Sequence, residues 1–137
     1  MSTIIADNLT GKTSAGSVTV TSEGGAATQS LQQGLAKAWV NFNGTGTIAA
    51  RDSLNLTSLT DNGTGDYTVS YTNNMNNVNY SHLLNCNNSV SFNGMFGGAD
   101  TGAGIVLTSS ARFFTCSANL TNGDSRTVHT AVHGDMA

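Results

Sequence analysis

The residues with chemistry to offer are few: three His, two Cys and eight carboxylates in 137 residues. His129 and His133 stand four apart in the alternating run 127–133, so on a strand both would share one face. In a trimer that face could approach a threefold axis and hold a metal. His82 is remote and no Cys or carboxylate stands at ligand spacing, so the two imidazoles are read as solvent-facing and no metal or other cofactor is expected. Asp61, Asn62, Thr64 and Asp66 put oxygens around glycines, as calcium loops do. They lack the DxDxDG order and the distal bidentate acid, which leaves an ordinary hairpin turn. Cys86 and Cys116 show no CxxC spacing and are read as thiols, with an inter-strand disulfide as the second reading. Arg51 beside Asp52 reads as a surface pair. There is no GxSxG, P-loop or HExxH, so the chain is not expected to be an enzyme.

Binding is a better use for this chain than catalysis, and it would fall to the connections, because strands commit alternate side chains to a core. The leading candidate is residues 93–104, NGMFGGADTGAG, where Met95 and Phe96 offer apolar surface and Asp100 offers a carboxylate. Asn74 in residues 73–77 and Asn122 in residues 119–124 follow it, with amides suited to sugar hydroxyls. The competing reading is that the Gly-rich loop is only flexible, or packs under a neighbouring subunit.

These loops need a rigid carrier, and residues 37–71 supply its centre. In Ala38-Trp39-Val40-Asn41-Phe42 and Tyr67-Thr68-Val69-Ser70-Tyr71 apolar side chains recur with period two, which predicts two strands of one sheet. Residues 54–72 read as a hairpin turning at Asn62-Gly63. Further strands are predicted at 46–50, 77–84, 89–92, 105–108, 112–118 and 127–133, separated by Gly, Asn and Asp turns about every ten residues. The predicted fold is all-β, an antiparallel β-sandwich or jelly-roll-like head domain at 38–137. Alternation puts Trp39 opposite Ala38, Val40 and Phe42, and it is expected to be core if that second face is covered.

Residues 1–37 are read as a segment for attachment and trimerisation, with one short anchoring strand at 17–21 and one helix at 26–37. Leu31 and Leu35 would lie on one face of that helix at i, i+4. So short a helix is marginal alone, and packing of its Leu pair against other copies or the sheet would stabilise it. A homotrimer dependent on Leu31 and Leu35 is the expectation.

Composition narrows the class of partner. Charged residues are 9% and hydrophobic residues 38%, with no Pro and a net charge of -3. That balance favours a folded β protein over a disordered one. Five scattered Lys and Arg cannot form the positive patch that a phosphate backbone requires, so nucleic acid is not expected. No basic segment with a following apolar stretch opens the chain, and no run of about 18 apolar residues occurs, so neither a signal peptide nor membrane insertion is expected. The many Asn-x-Ser/Thr matches follow from composition.

The stretches KAWVNFNGTGT at 37–47 and RDSLNLTSLTDNGTGDYTVSYT at 51–72, with the Asn/Met segment leading to Asn79-Tyr80, resemble tail-fibre or fibre-like virion proteins of tailed bacteriophages, especially marine ones. ADNLTGKTSAGSVTVTSEGG at 6–25 resembles the attachment segment that often precedes them. The resemblance implies a virion location, a homotrimer, other virion proteins bound through the N-terminal segment, and a fibre or knob that meets a host surface glycan or protein. A capsid decoration or head-fibre protein is the alternative. Residues 81–137 match no motif.

Overall fold

The computed structural model describes residues 3–87, 106–116 and 121–137, together with the backbone of Phe96–Ala99. It divides into two compact units, Met1–Leu35 and Ala36–Ala137.

In the first unit, β1 (Thr19–Thr21) pairs antiparallel with β2 (Thr28–Ser30), and one turn of helix, α1 (Leu31–Gly34), follows. The expected helix over 26–37 is therefore wrong for most of its length. β1 is the partner that wins residues 28–30 for a strand. Ser30 caps the remaining turn by accepting from the Gln33 N–H, and Leu35 leaves it extended at φ -92 and ψ 143. Gly34, a poor helix former, is its last residue. Leu31 and Leu35 consequently do not form a helical i, i+4 pair. No described residue of this unit is buried.

The second unit is a pair of antiparallel four-stranded sheets packed against each other. One has the order β4 (Ala49–Leu54), β3 (Ala36–Asn43), β10 (Thr127–His133), β7 (Ser81–Asn87). The other runs β5 (Leu56–Gly63), β6 (Asp66–Tyr71), β9 (Ser110–Cys116), β8 (Phe96–Ala99). The all-β sandwich expected from the alternation is the architecture found, but Ala38–Phe42 and Tyr67–Tyr71, expected as two strands of one sheet, lie in opposite sheets and meet across the core, because alternation gives each strand's inward face and not its hydrogen-bonded neighbours.

Period-two burial builds the core. Ala38, Val40 and Phe42 from β3 and Val128 and Val132 from β10 face Tyr67, Val69 and Tyr71 from β6 and Ala111 and Phe113 from β9. Phe42, Tyr67 and Phe113 are each fully buried, and their ring centroids lie 5.2 to 6.2 Å apart in edge and tilted contacts, worth about 1 kcal/mol per pair beyond area burial.

Several boundaries depart from the expectation for local reasons. Residues 54–59 are not one strand: Asn55 takes a left-handed φ of 58, and there the chain passes from one sheet to the other. The Asn55 side-chain amide donates to the carbonyls of Lys37 (3.1 Å) and Asn73 (3.0 Å), and its oxygen accepts from the Asn73 N–H (2.7 Å). Asn tolerates that φ and its side chain pins both flanking segments. The β5–β6 hairpin turns at Thr64-Gly65, two residues beyond the Asn62-Gly63 pair, because Gly63 already pairs with Asp66. Gly65 has φ +67, and a Cβ there would lie 2.5 Å from the Thr115 carbonyl oxygen. Only glycine fits. β4 covers 49–54 where a strand at 46–50 was expected, β7 lies at 81–87 in place of 77–84, and of the expected strand at 105–108 the described residues 106–108 show a single bridge, Val106 to Ala111. The expected strand at 89–92 lies outside the described residues.

Candidate functional site

The loop candidates fare unevenly. Met95 and Asp100 lie outside the described residues. Phe96 opens β8, pairing with Cys116, so part of the supposed 93–104 loop is an edge strand. Asn74 is exposed, with its carbonyl accepting from the Ala137 N–H at 2.9 Å. Asn122 is exposed and bridges Cys116. Phe96 and Asn122 thus both pair with Cys116, whereas Asn74 is tied to the C-terminal residue instead.

Leu31 is half-buried and Leu35 is 56% exposed within their own unit. Ile4, Ile5, Leu9 and Val20 are exposed there as well.

One end of the sandwich is a network of polar contacts. The Tyr67 hydroxyl lies 2.8 Å from the Gly44 carbonyl and 3.1 Å from Asp124 Oδ1, and that same carboxylate oxygen accepts from the Gly65 N–H at 2.7 Å. Thr115 donates its hydroxyl to the Gly123 carbonyl at 2.6 Å. Burial, then the Asp124 charge, push the Tyr67 phenol well above its ordinary range. A permanently protonated phenol is a fixed donor, so this end is a structural clasp.

On the outer face of β5, β6 and β9 the described polar side chains also satisfy one another. Arg112 grips Asp66 with two nitrogens, Nε to Oδ1 at 2.8 Å and the second to Oδ2, while its guanidinium lies 5.5 Å from the Phe114 ring centroid. Asn62 donates to Asp66 and to Thr68. Hydrogen bonding from Arg112 holds the Asp66 carboxyl below its ordinary range. With Asp61 accepting from the Gly63 N–H, the oxygens once compared with a calcium loop are hairpin and ion-pair groups.

The outer face of the β4-β3-β10-β7 sheet is different. Strand register aligns Leu54, Trp39, Ala131 and Leu83 into one apolar row across all four strands. Leu54 and Leu83 are 46% and 55% exposed and Trp39 is half-buried. Trp39 is thus not a core residue: alternation put it on the correct face, but that face is not covered as a core would be. The adjacent row is polar throughout, Asp52, Asn41, His129 and Asn85. Arg51 does not pair with Asp52. Its guanidinium donates to Asn41 Oδ1 (3.0 Å) and to the carbonyls of Phe42 (3.0 Å) and Arg126 (2.6 Å), which fixes the Asn41 amide. Over the paired strands β7 and β10 lies a shallow, open hollow of about 280 Å³ lined by Leu83, Leu84, Asn85, His129, Thr130 and Ala131. His129 and His133 do share this face, with His129 exposed and His133 half-buried. Among the described residues no three His, Cys, Asp or Glu gather as a metal site.

His82 points inward, its ring 5.5 Å from Phe113 and its Nε2 buried without a hydrogen-bond partner. Burial lowers its pKa to about 4, so it is a neutral core imidazole at neutral pH. Cys86 and Cys116 form no disulfide. Cys86 belongs to the core, whereas Cys116 follows buried Thr115 on the alternate face of β9. The register signal for the Trp39 row was present in the alternation, but which strands lie side by side is invisible without the topology.

Comparison with known proteins yields nothing further: no family model, curated protein or solved structure matches the chain.

Proposed function

We propose that the chain is a structural protein of a tailed-bacteriophage virion, a trimeric fibre or knob that takes part in host-surface recognition and adsorption. The resemblance of residues 37–72 motivates it, and one structural observation supports the division of labour it needs. The unit Met1–Leu35 buries none of its described residues and exposes Ile4, Ile5, Leu9, Val20 and Leu35, while Ala36–Ala137 buries Phe42, Tyr67 and Phe113 within a hydrophobic core cluster. An arm that cannot bury its apolar side chains gains stability from other molecules, and an arm beside a self-sufficient head suits attachment and assembly. No nucleotide, metal or catalytic group enters this reading. Native mass spectrometry of the full chain tests the oligomer: a trimer is expected, and conversion to monomer when Ile4, Ile5 and Leu35 are all replaced by Ser. Immunogold labelling of virions tests the place, with label at the tail tip expected; label over the capsid would replace the fibre with a decoration protein.

A further inference from the structure

We infer that the outer face of the β4-β3-β10-β7 sheet is a binding face for a neutral oligosaccharide, with Trp39 as its platform. The inference deepens the recognition part of the proposed function by naming a ligand class and rests on that reading only for its biological setting.

Three features of the face select the ligand. Its apolar row is one residue deep and crosses three inter-strand gaps of about 4.8 Å each, so it is a track about 14 Å long. Beside the track runs an unbroken polar row whose amides, imidazole and carboxylate supply both donors and acceptors. A pyranose chain has the matching form, with C–H faces that lie on an indole and hydroxyls along the rim. The hollow beside Leu83 and His129 is shallow and open, so it adds a little concave surface to the track and does not enclose a ligand.

Other occupants match less well. Two sheets packed face to face interdigitate apolar side chains over a broad area, and a second copy seated here would bury Asp52, Asn41, His129 and Asn85 against its own polar row. A phosphorylated or strongly acidic ligand would seek free cations, but the guanidinium nearest the rows, that of Arg51, is held by three oxygens of the chain itself. Neutral hydroxyls are what remains for the Asn41 amide and the His129 ring to meet.

Trp39 is the only Trp, so its fluorescence reports this face alone. The full-length protein is screened on an array of neutral glycans (glucans, galactans, mannans and chitooligosaccharides), and each hit is titrated against Trp39 emission. Saturable binding of at least one neutral glycan is expected, with affinity at least tenfold weaker in Asn85→Ala and His129→Ala, both exposed positions whose loss leaves the fold intact, and lost in Trp39→Ala, which is scored on the array because it lacks the fluorophore. Absence of any neutral hit overturns the inference. So does a hit whose affinity the Asn85 and His129 variants leave unchanged, or a wild-type Trp39 that acrylamide quenches only after the oligomer is dissociated, which would make the face a subunit interface. Each of these failures leaves the virion location, read by labelling, untouched.

Discussion

The two outer faces of the sandwich are made from the same kind of strand and end in opposite states. On the β5-β6-β9-β8 sheet, Arg112, Asp66, Phe114, Asn62 and Thr68 satisfy one another within the chain. On the β4-β3-β10-β7 sheet, an apolar row with an indole at its second position lies beside a polar row, and Arg51 is spent on holding Asn41. Polar groups that find partners inside the protein contribute to stability. Groups arranged side by side and left facing outward contribute little to it, and are informative about what meets the face.

That contrast can be broken at several points. The largest effect belongs to the layer both faces share: Phe113→Ala should cost about 3–5 kcal/mol, read from urea unfolding, since the ring is fully buried among Phe42, Tyr67 and His82. Acid should act through the same layer. His82 titrates at about 4 folded and near 6.5 unfolded, so the unfolded chain binds the proton first as pH falls. Its neutral-form stabilisation is complete above about pH 6.5 and is lost progressively down to about pH 4, a loss of up to about 3 kcal/mol at roughly 1.4 kcal/mol per unit. Unfolding titrations from pH 7 to 4 should show that slope in the wild type and a flatter one in His82→Phe.

The closed face comes next. Asp66→Asn should lower stability by about 1–2 kcal/mol, less than a fully buried pair would, because the Arg112 side chain is 40% exposed. The sign with pH is the ordinary carboxylate one: Asp66 is depressed in the fold, so its contribution is present above the unfolded value of 3.8 and fades as pH falls further. A double-mutant cycle with Arg112→Met isolates the pair. The smallest stability effect belongs to the open face, where Trp39→Ala should cost less than about 2 kcal/mol, since the side chain is only half-buried. A loss as large as that of Phe113→Ala would show that Trp39 is core after all and that the two faces are alike.

Alternation made the sandwich and its inward residues legible, because period two is written residue by residue in runs such as Ala38–Phe42 and Thr127–His133. Quantities set by distant pairing were not legible. Asn55 looked like one more polar strand residue, although its left-handed backbone is where the chain changes sheets. Residues 28–30 have acceptable helix formers around them, but pairing with β1 overrides that local preference. Trp39 shows the limit most clearly. Its face could be read from its neighbours in sequence, whereas its row with Leu54, Ala131 and Leu83 exists only once residues 39, 54, 83 and 131 are brought side by side.

The most direct measurement is acrylamide quenching of Trp39 in the assembled wild-type protein, with and without a saturating neutral oligosaccharide. An open face with a platform indole predicts efficient quenching and red-shifted emission in the free protein, and protection with a blue shift when the sugar is bound. Blue-shifted emission that resists quenching in the free protein would contradict the account, because it would place Trp39 under permanent cover.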